Sequence, residues 1–132
     1  MLTQPVSLEK ISLALQKFGG EGFLWVEILK DQNSKPGENI STSPLLAMAD
    51  LSNRPGYYWQ AFDFTQKDVK LAPGRYWIAL GFSGTPVVNW FYSYGKPVGP
   101  SDGTRYKTIL DEDWSNSLSF EFNYRVEGRT TP

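Results

Sequence analysis

Apolar side chains in this chain recur with a period of two and nowhere sustain the period of a helix. Ile11, Leu13 and Leu15 alternate with Ser12, Ala14 and Gln16. Near the C-terminus Leu118, Phe120, Phe122, Tyr124 and Val126 alternate with Ser119, Glu121, Asn123 and Arg125. Alternation of this kind puts successive side chains on opposite faces of a strand. Between the strands stand turn signals: Gly19-Gly20-Glu21-Gly22, Pro36-Gly37, Asn53-Arg54-Pro55-Gly56, Pro73-Gly74, Gly84-Thr85-Pro86 and the glycine-proline stretch from Gly95 to Gly103. Strands are therefore predicted over Phe23–Lys30, Tyr57–Phe64, Val69–Leu71, Arg75–Phe82, Val87–Tyr94 and Thr104–Leu110, besides the two alternating runs. Ile40–Met48 reads as an edge strand because of Pro44, and Leu45–Leu51 as one helical turn at most. This is an all-β domain, a sandwich or barrel of about eight or nine antiparallel strands.

A chain of 132 residues makes one domain with a core of its own. Gly128–Pro132 reads as a flexible tail. The net charge is −1, which offers neither nucleic acid nor an anionic membrane an electrostatic foothold. No apolar run is long enough to span a bilayer, and Met1–Lys10 lacks the pattern of a signal peptide. Histidine and cysteine are both absent. Thiol chemistry, cysteine-rich zinc sites and histidine-based acid–base catalysis are thereby excluded.

The run SLEKISLALQKFGGEGFLWVEIL, followed by KPGE, YWQAFDF, VKLAPGRYWIAL and DEDW, resembles bacterial and phage surface modules of the choice-of-anchor R type. The resemblance covers about Ser7 to Val126. It is strongest over Leu71–Ile78 and at Trp114. It implies a jelly-roll β-sandwich related in shape to carbohydrate-binding modules, with no shared catalytic motif. Such modules carry a further strand before Pro5, absent here.

The remaining chemistry is sparse. Asp111-Glu112-Asp113, with Glu27, Asp63 and Glu121, supplies carboxylates, but glycoside hydrolysis needs two of them facing one another across a bond. Between a strand and Trp114 the acidic run reads as a solvated turn. Asp111 and Asp113, with Asp102 and Glu112, are oxygen donors for a structural calcium, yet their spacing matches no calcium loop. Gly81-Phe82-Ser83-Gly84 is no nucleophile elbow, since no helix pattern follows. The chain is read as a non-enzyme without a cofactor.

Aromatic residues are 15% of the chain, with five Trp, seven Tyr and eight Phe, and they carry the functional reading. Tyr76, Ile78, Leu80 and Phe82 are expected in the core with Phe62, Phe64, Phe120 and Phe122. If Leu24, Val26 and Ile28 also face inward, as the resemblance implies, then Phe23, Trp25, Glu27 and Leu29 face outward. Trp77 lies opposite Tyr76 and Ile78 in the same way. Val88, Trp90, Tyr92 and Tyr94 share a further face. These are more apolar faces than one core consumes, and such a surplus marks an interaction surface.

Two uses compete. Trp25, Trp77, Trp90, Tyr92 and Tyr94, with Asn89, Glu27 and Arg105, are candidates for a platform on which sugar rings stack while polar neighbours bond the hydroxyls. Phe23, Trp25 and Leu29 are candidates for a contact with other protein subunits, in a homo-oligomer or a virion part such as a capsid decoration or tail-fibre component. A glycan is the leading expected partner, and protein subunits the alternative. The expected location is the cell surface or secretion for a fragment of a larger protein, and a virion for a complete chain.

Overall fold

The computed structural model describes residues 2–33, 35–51, 56, 58–90, 92–94, 120–122 and 124–130. Side chains of 87, 89, 92–94 and 120–122 lie outside that description. The described residues form β1 (Val6–Gly19), β2 (Gly22–Gln32), β3 (Lys35–Thr42), β4 (Leu46–Ala47), β5 (Tyr58–Asp63), β6 (Lys70–Leu71), β7 (Tyr76–Gly84), β8 (Val87–Trp90), β9 (Tyr92–Tyr94), β10 (Phe120–Phe122) and β11 (Tyr124–Thr130). These are eleven strand segments where eight or nine were expected; the strand predicted over Thr104–Leu110 lies outside the described residues. The only helical pieces among them are 3₁₀ turns at Met48–Asp50 and Thr65–Lys67.

Two antiparallel sheets result, a β-sandwich-like all-β architecture. In the five-stranded sheet β1 is central. Along one edge it pairs with β11 and then β8; along the other it pairs with β6 and then β5. In the four-stranded sheet β2 lies between β7 and the successive strands β3 and β4. A two-stranded ribbon pairs β9 with β10. The core joins Leu8, Ile11, Leu13, Leu15 and Phe62 of the first sheet to Leu24, Val26 and Ile28 of the second. Met48, Leu51, Phe64, Val69 and Leu71 from the connecting segments complete it.

β1 faces the core at Leu8 and again at Ile11, which a strict period of two does not allow. The register against β11 slips between Leu8 and Lys10, so Glu9 is the extra residue of a bulge. A bulge exchanges the two faces of a strand. Its backbone stays bonded: the Glu9 carbonyl accepts from Phe64 N (2.8 Å), and Leu8 N donates to the Val69 carbonyl (2.8 Å). At this point β1 changes partner from β6 to β5.

The chain crosses between sheets at two adjoining corners, Gly19–Gly22 and Gly84–Pro86. Thr85 N donates to the Glu21 carbonyl (2.8 Å). Gly20 and Gly22 have φ of +87° and +116°, and a Cβ on either would strike the backbone of Thr85 or Ser83. Glycine is thus required by both conformation and space.

Three expectations are corrected. Gly128–Thr130 is not tail but strand, paired with Val6–Leu8. Gly128 brings the two backbones together, because a Cβ there would collide with Ser7 and Val6. Arg129 Nε lies 2.7 Å from Glu9 Oε1. Phe82 is 56% exposed rather than core; it lies two residues from the corner, on a strand whose other edge pairs with no described strand. Pro44 marks a break between β3 and β4. There the Ser43 hydroxyl accepts from Val26 N (2.9 Å) in place of a ladder bond.

Candidate functional site

The outer face of the four-stranded sheet carries the odd-numbered residues of β2 and β7. Their register sets Phe23 beside Ser83, Trp25 beside Gly81, Glu27 beside Ala79 and Leu29 beside Trp77. Each large side chain except Leu29 faces a small one across the strands. Trp25 lies directly on Gly81, where any Cβ would collide with the indole.

Both tryptophans on this face are half-buried and have their N–H groups tied to carboxylates of β2. Trp25 Nε1 donates to Glu27 Oε2 (3.3 Å). Trp77 Nε1 donates to Asp31 Oδ1 (2.7 Å). The other Glu27 oxygen accepts from Asn39 Nδ2 of β3 (2.8 Å), which also reaches Thr42 Oγ1 (3.2 Å). Trp25 and Trp77 sit one strand apart and four residues apart along the strand direction, about 13 Å at ~3.3 Å per residue. Between them lie Glu27 and Ala79. The result is a flat strip with an indole toward each end and a carboxylate and an amide in the middle.

Leu29 corrects the assembly expectation. It is only 6% exposed, because Trp77, its neighbour on β7, reaches diagonally past it to Asp31. Leu29 is therefore not available to another subunit. Phe23 is, at 42% exposed.

Trp90 corrects the expected platform. It pairs with Leu15 on β1 and packs, with Val88, against the core. The apolar face of β8 is thus used inside the chain. Asn89 sits opposite Gln16. Tyr92 and Tyr94 pair through their backbones with Phe122 and Phe120, so the ribbon separates them from the Trp25–Trp77 strip in the strand pairing. Arg105, Asp111 and Asp113 lie outside the described residues. Among the described residues no three acidic side chains gather where a metal ion would sit, and no helix is long and apolar enough to cross a membrane.

Asn39, Asp31 and Gly81 had no signal of their own in the sequence. Only strand pairing brings them to the two indoles, although Gly81 opposite an outward Trp25 follows once the β2–β7 register is known.

Comparison with protein-family models, curated proteins and solved structures finds no match to this chain.

Proposed function

We propose that this is a non-catalytic binding module that takes a carbohydrate on the outer face of its four-stranded sheet. One observation carries the reading: Trp25 and Trp77 lie on one flat face with their indoles held by carboxylates, and Glu27 and Asn39 stand between them. Indole rings offer an apolar surface to the C–H face of a sugar. Carboxylate and amide groups accept and donate to its hydroxyls. The strip is open along the sheet, which suits a chain of sugars better than a single enclosed ring. The resemblance to choice-of-anchor R modules points the same way. With it goes a jelly-roll topology, supported by the antiparallel pairs β1 with β11 and β2 with β7 that run along the two sheets.

A glycan array followed by titration calorimetry tests this. Trp25→Ala and Trp77→Ala are each expected to weaken binding at least tenfold while the circular dichroism spectrum is unchanged. A broad array without binders, or binding indifferent to both substitutions, would falsify the reading.

A virion assembly role is the second reading. Its support is the set of exposed phenylalanines around the two corners: Phe18, Phe23 and Phe82. Its sign would be incorporation into a particle that Phe23→Glu prevents.

A further inference from the structure

We infer that β11 is a docking edge for a second copy of this chain, with the two β11 strands pairing antiparallel about Val126. The inference is independent of the glycan reading, since β11 belongs to the other sheet.

All seven residues of β11 are exposed. Its inner edge pairs with β1, and no described strand pairs with its outer edge. The direction of its backbone groups follows from the Glu9 bulge. The Glu9 carbonyl is bonded to Phe64 on the β5 side, so the next amide, of Lys10, points toward β11. Glu127, opposite Lys10, therefore directs its N–H and C=O at β1. By alternation, Tyr124, Val126 and Gly128 direct theirs at the outer edge. That is a row of donors and acceptors of the kind that adds a strand.

The side chains select the register and the partner. With Val126 opposite the Val126 of a second copy, Arg125 faces Glu127 twice and Tyr124 faces Gly128 twice. The Arg125–Glu127 pairs fall at positions without mutual backbone bonds, where side chains approach most closely. An aromatic residue over a cross-strand glycine is likewise a favourable pair. Shifting by one residue to centre on Glu127 would instead oppose Glu127 to itself and Arg125 to Arg129. The like charges disfavour that register. Arg125 stacks on Trp59, 3.9 Å from the ring centroid. A stacked guanidinium keeps its N–H donors in the ring plane and free to meet a carboxylate.

Light scattering on the full chain, over a concentration series up to its solubility, tests the proposal with two opposite charge changes. The wild type is expected to move from monomer toward dimer mass as concentration rises. Arg125→Glu alone and Glu127→Arg alone are each expected to remain monomeric, because each places like charges across the two-fold. Mixed in equal amounts they are expected to form a heterodimer. The two introduced charges then face one another with opposite sign, and the unchanged Glu127 of one copy faces the unchanged Arg125 of the other. Val126→Pro, which removes an outward N–H and leaves the β1 ladder, is expected to be monomeric at every concentration. Circular dichroism confirms that each variant is folded before its mass is read. A wild type that stays monomeric, a dimer indifferent to these substitutions, or a mixture that stays monomeric would each overturn the proposal.

Discussion

The guanidinium carbon of Arg125 lies 3.9 Å from the centroid of the Trp59 ring, although β1 separates the strands that carry them. Arg125 stands opposite Ser12 and Trp59 opposite Ala14 on the two sides of β1. Because Ser12 and Ala14 are small, the two long side chains meet above them. This explains why Ser12 and Ala14 are 5% and 0% exposed on the face turned away from the core. Arg125→Ala is expected to lower stability by about 1 kcal/mol, with a coupling to Trp59 of about 0.5–1 kcal/mol. A double-mutant cycle with Trp59→Ala, read by urea unfolding, measures it. Additive effects would show that the stacking contributes nothing.

Gly81 fixes the seat of Trp25. Gly81→Val is expected to lift the indole off the sheet and to cost about 1–3 kcal/mol, as overpacking does. The intrinsic fluorescence should shift to the red as the ring gains water, and sugar affinity should fall with it. An unchanged emission spectrum would mean that the indole has another place to go.

Leu29 and Phe23 respond differently to the same charge. Leu29→Glu places a carboxylate in a nearly closed site and is expected to cost several kcal/mol. Phe23→Glu, at an exposed position, is expected to stay within about 0.5 kcal/mol of wild type. Melting curves of the two variants distinguish buried outer-face packing from a free apolar surface. Equal melting temperatures would count against the burial of Leu29.

Trp90→Ala is expected to destabilise the fold by about 2–4 kcal/mol, since the ring packs partly buried against the core. At temperatures where the variant remains folded, sugar binding is expected to persist. Loss of binding with full stability would return Trp90 to the ligand surface.

Asp63 links folding to acid. The Thr65 hydroxyl and amide both donate to Asp63 Oδ1 (2.6 and 2.8 Å), and with a smaller contribution from Lys10 they hold its carboxyl below the ordinary range. A lowered native value means that the ionised form favours the folded state. The contribution is complete above the unfolded-state value of about 4 and is lost as pH falls through the native value. Asp63→Ala is expected to flatten the acid side of the stability profile below about pH 4 and to leave its neutral shape unchanged. Denaturant unfolding across the acid-to-neutral range shows the difference. A parallel offset at all pH values would assign the loss to packing instead.

The strands were legible where alternation was clean. Ile11, Leu13 and Leu15, then Leu24, Val26 and Ile28, face inward as their spacing requires, and Phe62 and Phe64 join them. Of the site, Trp25 and Trp77 were legible as outward aromatics on strands. What failed was the count of surplus faces. Trp90 looks as free as Trp25 when each strand is read alone, but its strand pairs with β1 and turns the indole to the core.

The sequence by itself determined the secondary structure and the corners, because period, proline and glycine act locally: a residue's neighbours within a few positions set its φ/ψ and its face. Tertiary structure alone decided which outward faces remain outward, because that depends on residues far apart in the chain. Trp77 covers Leu29 by reaching Asp31, which lies 46 positions away in sequence. Arg125 and Trp59 close over Ser12 and Ala14 only because two strands flank β1. The bulge at Glu9 exchanges the faces of β1 only because Phe64 and Val69 are there to take its backbone bonds.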